Sequence, residues 1–431
     1  MWLIDTDTVE LCEFNFDVNR PKYAILSHRW TSDELGSKDF MKGRRKDSMG
    51  YQKVISSCKV ARDRGLSWLW IDTCCIDKRS SAELSEAINS MYQWYECASE
   101  CYVYLFDVLY GSDSPIEDLD SQLERSDWFT RGWTLQELIA PRTVLFFNAS
   151  WSLIAIKNSE ALADHEELSV EISSQIASIT GISLDILLGQ AHISNKSAAQ
   201  KLSWIARRTT TRREDIAYCM LGIFEVNMPL LYGEGARAWP RLLQEIIRKT
   251  RDETVFAWRS PVESSSSVPL LAGSPICFQH SDSTVECDAL QRPAYTLTNL
   301  GLEIRLLAKT AFEYVGSQNE RILVVVLNCC EGKTPEGRLV LWYLTLKQRS
   351  CGHYDRLGCA PSPRPLISDA TASTAKLILG DETIFVHTTA AILRDCWRRL
   401  KVTESTAFDS KDRITELLDR SVKESVHTDS P

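Results

Sequence analysis

Several familiar signatures are absent from this sequence. It contains no G-x-x-x-x-G-K-[ST], G-x-G-x-x-G, H-E-x-x-H or G-x-S-x-G motif, which argues against the common phosphate loops, zinc proteases and serine hydrolases. No apolar run approaches the roughly 20 residues that a membrane helix needs. The N-terminus also lacks the basic and apolar regions of a signal peptide. We therefore expect a cytoplasmic protein without a membrane segment.

Metal-binding patterns are missing as well. The 14 cysteines and seven histidines include no C-x-x-C pair, and zinc sites need ligands at set spacings. We expect reduced, mostly buried cysteines, no metal and no cofactor. Cys74 and Cys75 follow an apolar run, which favours a core position over a nucleophilic one. The net charge of −9 gives no general attraction for nucleic acid.

The first part of the chain alternates strand and helix patterns. Apolar runs predict four strands, at Tyr23–Ser27, Leu66–Ile71, Cys101–Phe106 and Thr143–Phe147. Helical spacing lies between them: a helix ending near Gly65, a helix opened by a Ser80/Glu83 capping box, and a helix from Ser126 to Pro141. An acidic loop is expected from Asp107 to Glu124. This β-α-β order predicts an α/β domain with a doubly wound parallel sheet.

The pattern changes further along the chain. Residues 152–258 are predicted to be a helical extension, with a second capping box at Thr211 and Glu214 and a helix from about Ala236 to Lys249. Short β-rich runs predict a smaller β-rich C-terminal domain over residues 259–400. They lie at Tyr295–Thr298, Leu302–Leu307, Ile322–Leu327, Leu339–Leu346 and Thr383–His387. Residues 401–431 are expected to be a flexible tail with one short helix at Ile414–Leu418. The first domain then covers residues 1–151.

Polar side chains follow the predicted strands. Ser27, His28, Arg29 and Trp30 come after the first strand, and Asp72 comes after the second. In a doubly wound sheet, ligands bind outside the carboxyl ends of the strands. Each of these residues alone is explained more simply as a cap or turn former. For the set, a ligand site and a structural role are equally good interpretations.

The segment Ser126–Ala140 (SDWFTRGWTLQELIA) carries two patterns when it is treated as one helix. Its expected core stripe consists of Trp128, Leu135, Leu138 and Ile139. Thr130, Trp133 and Glu137 share a different face. A glutamate beside a tryptophan could form a pocket wall, and burial there would raise its pKa. The alternative is a surface glutamate beside a half-buried tryptophan.

Four segments of the sequence are YAILSHRW (Tyr23–Trp30), WIDTCCIDK (Trp70–Lys78), ELSEAINSM (Glu83–Met91) and WFTRGWTLQELIAP (Trp128–Pro141). They closely resemble the fungal heterokaryon-incompatibility (HET) domain. Two further motifs, TTRREDIAY (Thr210–Tyr218) and MPLLYGEG (Met228–Gly235), resemble the extended family segment that follows this domain. Together they span about Tyr23 to Trp258. The role implied by this resemblance is regulated cell death after fusion of genetically unlike cells.

A looser resemblance concerns the fold. The HET domain is similar to the Toll/interleukin-1 receptor (TIR) domain, which implies a TIR-like doubly wound parallel sheet. Some TIR domains hydrolyse NAD with a glutamate in a Ser-x-Trp…Glu-Leu pattern, matched here by Ser126, Trp128, Glu137 and Leu138. The resemblance implies that Glu137 is catalytic and that NAD is a substrate. The implied substrate-binding residues are Ser27, His28, Arg29, Trp30, Asp72, Trp128 and Trp133.

Three functional hypotheses remain open from the sequence. The first is a cell-death effector with NAD nucleosidase activity, activated by homo-oligomerisation through the HET domain and triggered by an unidentified protein. The second is a non-enzymatic signalling module that oligomerises or binds a partner. A paralogue with neither activity is the third.

Overall fold

The computed structural model describes residues 1–111, 115–157, 170–260, 268–287, 295–298, 301–306, 311–315, 321–333, 339–348, 354–362, 376–377 and 382–386. These residues form two compact units. The first unit comprises the described parts of Met1–Asn195 together with Arg208–Ala238. The second comprises Lys196–Arg207 and the described residues from Trp239 onward. The tail predicted over residues 401–431, with its helix at Ile414–Leu418, lies outside the described residues.

Most of the helices are short. In chain order they are α1 (Phe16–Asn19), α2 (Ser37–Met41), α3 (Met49–Asp63), α4 (Ser81–Glu96), α5 (Ile116–Arg125), α6 (Thr134–Ile139), α7 (Ser173–Thr180), α8 (Leu184–Leu187), α9 (Ala198–Ile205), α10 (Asp215–Tyr218), α11 (Leu221–Phe224) and α12 (Ala238–Lys249). Within the described ranges, none of the helices combines the length and apolar character needed to cross a membrane.

The first unit contains strands β1 to β8. They are β1 (Trp2–Asp5), β2 (Leu11–Glu13), β3 (Ala24–His28), β4 (Trp68–Trp70), β5 (Glu100–Tyr104), β6 (Val144–Phe147), β7 (Leu153–Lys157) and β8 (Val170–Glu171). They form one sheet in the order β2-β1-β4-β3-β5-β6-β7-β8. The four predicted strands are β3, β4, β5 and β6, and these pair in parallel. The predicted α/β class with a parallel centre is therefore confirmed.

Strand β3 lies inside the sheet because its sequence suits burial on both faces. All five of its residues, Ala24–His28, are buried. Numbered by chain order, the parallel strands lie in the order second, first, third, fourth, which is the flavodoxin-like arrangement of doubly wound sheets. Ligand sites in such sheets lie at the carboxyl ends of the strands, where His28 ends β3.

Helices α3 and α4 follow the sequence closely. Ser48 accepts a hydrogen bond from the Tyr51 N–H at the start of α3, and Gly65 follows the end of this helix with a φ of +78°. Ser80 accepts a hydrogen bond from the Glu83 N–H at the start of α4. Helical spacing in the sequence puts Ile88, Met91 and Tyr95 on one apolar stripe of α4, and all three are buried.

The edges of the first sheet differ from the prediction. The segment Leu153–Lys157, expected to be helical, is β7 and pairs antiparallel with β6. The amino-terminal strands β1 and β2 were not predicted, and the expected acidic loop contains α5. The three strands are short elements whose pairing with the rest of the sheet outweighs weak local preference.

The segment Ser126–Ala140 is not one helix. A 3₁₀ helix covers Asp127–Thr130, and α6 begins only at Thr134. Between them Arg131 is extended and forms a parallel bridge with Thr209. The Gly132 N–H donates to the Thr209 carbonyl (2.9 Å), and the Thr209 N–H donates to the Thr130 carbonyl (2.7 Å). Tertiary pairing with a distant segment thus interrupts the helix that periodicity predicted.

The predicted capping box at Thr211 and Glu214 is wrong. Glu214 does not cap α10 with its side chain. Its carboxylate instead accepts hydrogen bonds from the N–H groups of Gly233 (2.7 Å) and Gly235 (2.9 Å). Both glycines have positive φ angles, 104° and 61°, so this turn needs residues without a Cβ penalty. These two hydrogen bonds link the beginning of the Arg208–Ala238 segment to its end.

The second unit contains helices α9 and α12 and a largely antiparallel sheet. Its strands are β9 (Val285–Glu286), β10 (Thr296–Thr298), β11 (Gly301–Leu306), β12 (Ala311–Val315), β13 (Arg321–Lys333), β14 (Leu339–Gln348), β15 (Tyr354–Ser362), β16 (Lys376–Leu377) and β17 (Glu382–Val386). The main path of this sheet is β10-β11-β17-β15-β14-β13-β12-β16. The five predicted β-rich runs overlap β10, β11, β13, β14 and β17, whereas β9, β12, β15 and β16 were not predicted.

The core of the second unit includes a buried cation. The guanidinium of Arg356 donates to the carbonyls of Phe256, Trp258 and Leu270 and lies 3.7 Å from the ring centroid of Trp258. The carbonyl oxygens and the aromatic face offset the cost of burying this charge.

Candidate functional site

A cleft opens in the first unit at the carboxyl ends of β3 and β4, with a cavity volume of about 250 Å³. Leu26 and His28 of β3 contribute to its lining, and Trp30 and Asp72 follow the two strand ends. The apolar stripe of α4 supplies Leu84, Ile88, Met91 and Tyr95. The apolar face of a core helix therefore also forms part of this cleft.

Glu137 lies in the cleft on α6 and is only 8% exposed. The Ser27 hydroxyl donates a 2.5 Å hydrogen bond to Glu137 Oε2. Trp128 Nε1–H in turn donates to Ser27 Oγ at 2.9 Å. Burial raises the pKa of Glu137 to about 8, assisted by the charge of Asp72 and opposed by the Ser27 hydrogen bond and the charge of Arg131.

The end of α6 is anchored by a buried lysine. Lys157 Nζ donates to the carbonyl oxygens of Leu138 (2.7 Å) and Pro141 (2.8 Å). A cation at this end of a helix is favourable, because the helix dipole places partial negative charge there. Burial lowers the pKa of Lys157 to about 8. Strand β7 thereby supports the helix that carries Glu137.

One side of the cleft is a network around Asp72. Trp30 Nε1–H donates to Asp72 Oδ2 at 2.9 Å, and Lys78 Nζ lies 3.5 Å from the same oxygen. Lys78 Nζ also lies 3.4 Å from the ring centroid of Trp30. Trp30 remains 44% exposed, so this network presents an aromatic ring at the edge of the cleft.

His28 connects this network to a second carboxylate. Its Nε2 lies 3.5 Å from Glu34 Oε2 and 4.0 Å from Asp72 Oδ1. Burial alone would raise the pKa of Glu34, but His28 and Lys53 hold it well below its usual range. The buried imidazole thus faces two carboxylates.

Another part of the lining comes from the Arg208–Ala238 segment and the break before α6. The Tyr232 hydroxyl donates to Asp215 Oδ1 at 2.9 Å, and the Arg212 guanidinium carbon lies 4.4 Å from the Tyr232 ring centroid. Arg131 Nη1 donates to Thr211 Oγ1 at 2.7 Å. Burial raises the pKa of Asp215, while hydrogen bonds from Tyr232 and Trp133 lower it.

The predicted site residues separate into three groups. His28, Trp30, Asp72, Trp133 and Glu137 line the cleft. Ser27 and Trp128 are buried behind it and reach it through Glu137. Arg29 forms an ion pair with Asp127 and is not among the lining residues. The structure therefore brings Glu137 to the same cleft as His28, Trp30 and Asp72.

Further residues of the cleft were missed as site residues: Tyr95, Lys78, Arg131, Arg212, Asp215 and Tyr232. Tyr95 belongs to the apolar stripe of α4, so helical spacing alone indicates a core position for it. All lining residues except Tyr95 lie within the six HET-like motifs. Their membership of these motifs was the available signal that they are candidate site residues.

The charges of the cleft suit a polar organic ligand. Glu137 and Asp215 are buried carboxyl groups, whereas Arg212 and Lys78 are exposed cations. Aromatic rings of Trp30, Trp133 and Tyr232 stand among them. In the described residues no group of three or more His, Cys, Asp or Glu side chains is arranged to hold a metal ion. Such a site can bind hydroxyl groups and a flat ring.

Fold and cleft together define the first unit as an α/β domain with a polar, ligand-sized cleft at its strand ends. Residues 23–115 match the family described as Heterokaryon incompatibility protein (HET). The chain is also 43% identical over 233 residues to the vegetative incompatibility protein HET-E-1 of Podospora anserina. The match covers 52% of this chain and 16% of that protein. No solved structure shows a significant match.

Proposed function

We propose that this chain acts in heterokaryon incompatibility as a cell-death effector that hydrolyses NAD at Glu137. The HET match of residues 23–115 and the similarity to a vegetative incompatibility protein support the biological role. The strand order β4-β3-β5-β6 supports a TIR-like sheet. The chemical part of the proposal depends on the cleft.

The observation that carries the proposal is the position of Glu137. Glu137 lines the cleft and its carboxyl group accepts a hydrogen bond from Ser27. The charges of Asp72 and Arg131 shift its pKa in opposite directions. Cleavage of NAD breaks the bond between C1′ of the ribose and the nicotinamide nitrogen. An ionised carboxylate beside C1′ stabilises the oxocarbenium-like transition state and binds ribose hydroxyls.

The reaction needs one water molecule and no other reactant. The bonding electron pair leaves with nicotinamide, which converts a cationic pyridinium into a neutral ring. The oxygen of water bonds to C1′ and one proton is released. Because the leaving group departs neutral, a general acid is not required. The rings of Trp30 and Trp133 both line the cleft, and in this proposal they stack against the nicotinamide ring.

The test is NAD consumption by the purified full chain under forced clustering. Glu137→Gln keeps the size of the side chain and removes the charge, so we expect loss of turnover. Glu124→Gln is the matched control, because Glu124 is exposed and is not a cleft residue. Equal NAD loss in both variants would refute the role of Glu137. No loss in wild type would refute the enzymatic proposal.

A non-enzymatic signalling module is the second candidate, and a specific surface favours it. Phe106 is 39% exposed and Leu109 is 78% exposed, just before the acidic helix α5. Exposed apolar side chains beside charged ones are typical of interaction sites. If cell death persists in Glu137→Gln but is lost in Leu109→Asp, the module is correct and the enzyme is not.

A further inference from the structure

We infer that the mouth of the cleft is a phosphate subsite, formed by Arg131 and Arg212, for an N-riboside that carries a 5′-phosphate. This inference rests on the proposed function for the orientation of the ribose, and it adds the class of substrate and the residues that select it.

The first argument is the distribution of charge between the interior and the mouth. Glu137 and Asp215 are each 8% exposed, whereas Arg212 is exposed and Arg131 is half-buried. Carboxyl groups inside favour a cationic ring and sugar hydroxyls, and guanidinium groups outside favour an anion. A phosphorylated pyridinium riboside carries these groups in the same order.

The second argument is that Arg131 is held in place. Its Nη1 donates to Thr211 Oγ1, and its carbonyl accepts from Arg208 Nη1 at 2.9 Å. Its backbone also forms the bridge with Thr209. A guanidinium has five N–H donors, so donors remain for a phosphate after the bond to Thr211. Because the side chain is already fixed by its neighbours, it loses little conformational freedom when it binds phosphate.

Arg212 is positioned by aromatic contact. It stacks on Tyr232, whose hydroxyl is fixed by Asp215. Tyr232 therefore contacts both the Arg212 guanidinium and the buried Asp215 carboxyl group. Its ring separates the cation at the mouth from the carboxyl group in the interior of the cleft. Arg29, which the TIR resemblance implied as a substrate-binding residue, is instead paired with Asp127.

The size of the cleft agrees with a riboside inside it and a phosphate at its mouth. Its volume of about 250 Å³ is slightly below the roughly 300–1,000 Å³ of pockets that enclose whole drug-sized ligands. A nicotinamide riboside unit fits a site of this class, while the phosphate and any second nucleoside lie outside the mouth.

The experiment measures binding rather than turnover, by isothermal titration of the full-length Glu137→Gln chain. Nicotinamide riboside and nicotinamide mononucleotide are compared because they differ only by the 5′-phosphate. We expect the mononucleotide to bind about tenfold more tightly or better, since each charge-assisted hydrogen bond contributes that much. We expect the difference to shrink at high salt.

Added to this background, Arg212→Ala should remove most of the preference for the phosphate without weakening riboside binding. The matched control is Arg213→Ala, because Arg213 is exposed and is not a cleft residue. Equal weakening of both ligands by Arg212→Ala would overturn the subsite, since it would show that Arg212 only supports Tyr232.

The two proposals fail separately. If wild type consumes no NAD but the mononucleotide preference appears and depends on Arg212, the subsite is correct and the hydrolase is not. If wild type consumes NAD but the riboside and the mononucleotide bind equally, the subsite is wrong and the hydrolase stands.

Discussion

The Ser27 hydroxyl and the Glu137 carboxyl group are joined by a 2.5 Å hydrogen bond across 110 positions of sequence. Ser27 belongs to β3 and Glu137 to α6, and Trp128 from the preceding 3₁₀ helix donates to the same serine oxygen. The serine therefore connects a buried indole to a buried acid. It also opposes the pKa increase that burial imposes on Glu137.

Replacement of Ser27 tests this connection. Ser27→Ala removes the donor to Glu137, so the pKa of Glu137 should rise further above its value of about 8. The Trp128 N–H loses its acceptor, and unfolding should become easier by about 1–3 kcal/mol. Carbon-13 NMR titration of the carboxyl group and denaturant unfolding measure these changes. Ser57→Ala is the control, because buried Ser57 bonds only to carbonyls of its own helix. A similar pKa in all three proteins would contradict the prediction.

Stability should fall as pH rises through the titration range of Glu137. The folded pKa is about 8 against an ordinary value of 4.5. Between these values the folded state binds more protons than the unfolded state, so its stability decreases as pH rises from about 4.5 to 8. The full change is on the order of 5 kcal/mol. Unfolding measured at several pH values should show this slope in wild type and a smaller slope in Glu137→Gln.

The pH dependence of NAD cleavage should also reflect the titration of Glu137. A carboxylate that stabilises positive charge acts only when ionised, so kcat/KM for NAD should increase with pH up to about 8, following the raised pKa of Glu137. The measurement is the pH profile of NAD consumption by wild type. A profile that falls across this range would show that protonated Glu137 is the active form.

Much of the parallel sheet could be predicted because its signals are local. The apolar strands β3 to β6 and the caps of α3 and α4 follow from short segments of sequence. The break at Arg131–Trp133 could not be predicted in this way, because it is caused by pairing with Thr209. The segment has helical spacing, but the backbone of Gly132 is already bonded to another part of the chain.

The candidate site could be predicted in part for the same reason. Residues after a strand, such as Trp30 and Asp72, are expected at the sheet edge, and they are found there. Asp215 and Tyr232 come from a segment far along the chain, whose place beside Glu137 depends on tertiary contacts. Periodicity and strand ends contain no information about those contacts.

The Gly132 N–H bonds to the Thr209 carbonyl and so links the segment before α6 to the Arg208–Ala238 segment. This pairing should be sensitive to the size of residue 132. A Cβ on Gly132 would lie 2.5 Å from Thr210 Cγ2 and 3.3 Å from Cys219 Sγ. Gly132→Ala should therefore lower the free energy of unfolding by about 1–3 kcal/mol and weaken ligand binding by moving Arg212 and Asp215. Thermal unfolding and titration with nicotinamide mononucleotide measure the two effects.

A second substitution separates steric conflict from other causes. Thr210→Ser removes Cγ2 and keeps the hydroxyl that donates to the Arg212 carbonyl at 2.6 Å. The double variant Gly132→Ala/Thr210→Ser should recover most of the lost stability. If the double variant is as unstable as Gly132→Ala alone, the contact with Thr210 is not the cause.

Lys157 should make stability depend on alkaline pH in the direction opposite to Glu137. Burial lowers the Lys157 pKa from 10.5 to about 8, so the unfolded state binds more protons between these values and stability increases with pH. Lys157→Met removes this term and leaves the carbonyls of Leu138 and Pro141 without their donor. The advantage of wild type over Lys157→Met should therefore grow between about pH 8 and 10.5. Denaturant unfolding measures it, with the exposed Lys59→Met as control; a constant difference would mean that Lys157 is not neutralised by burial.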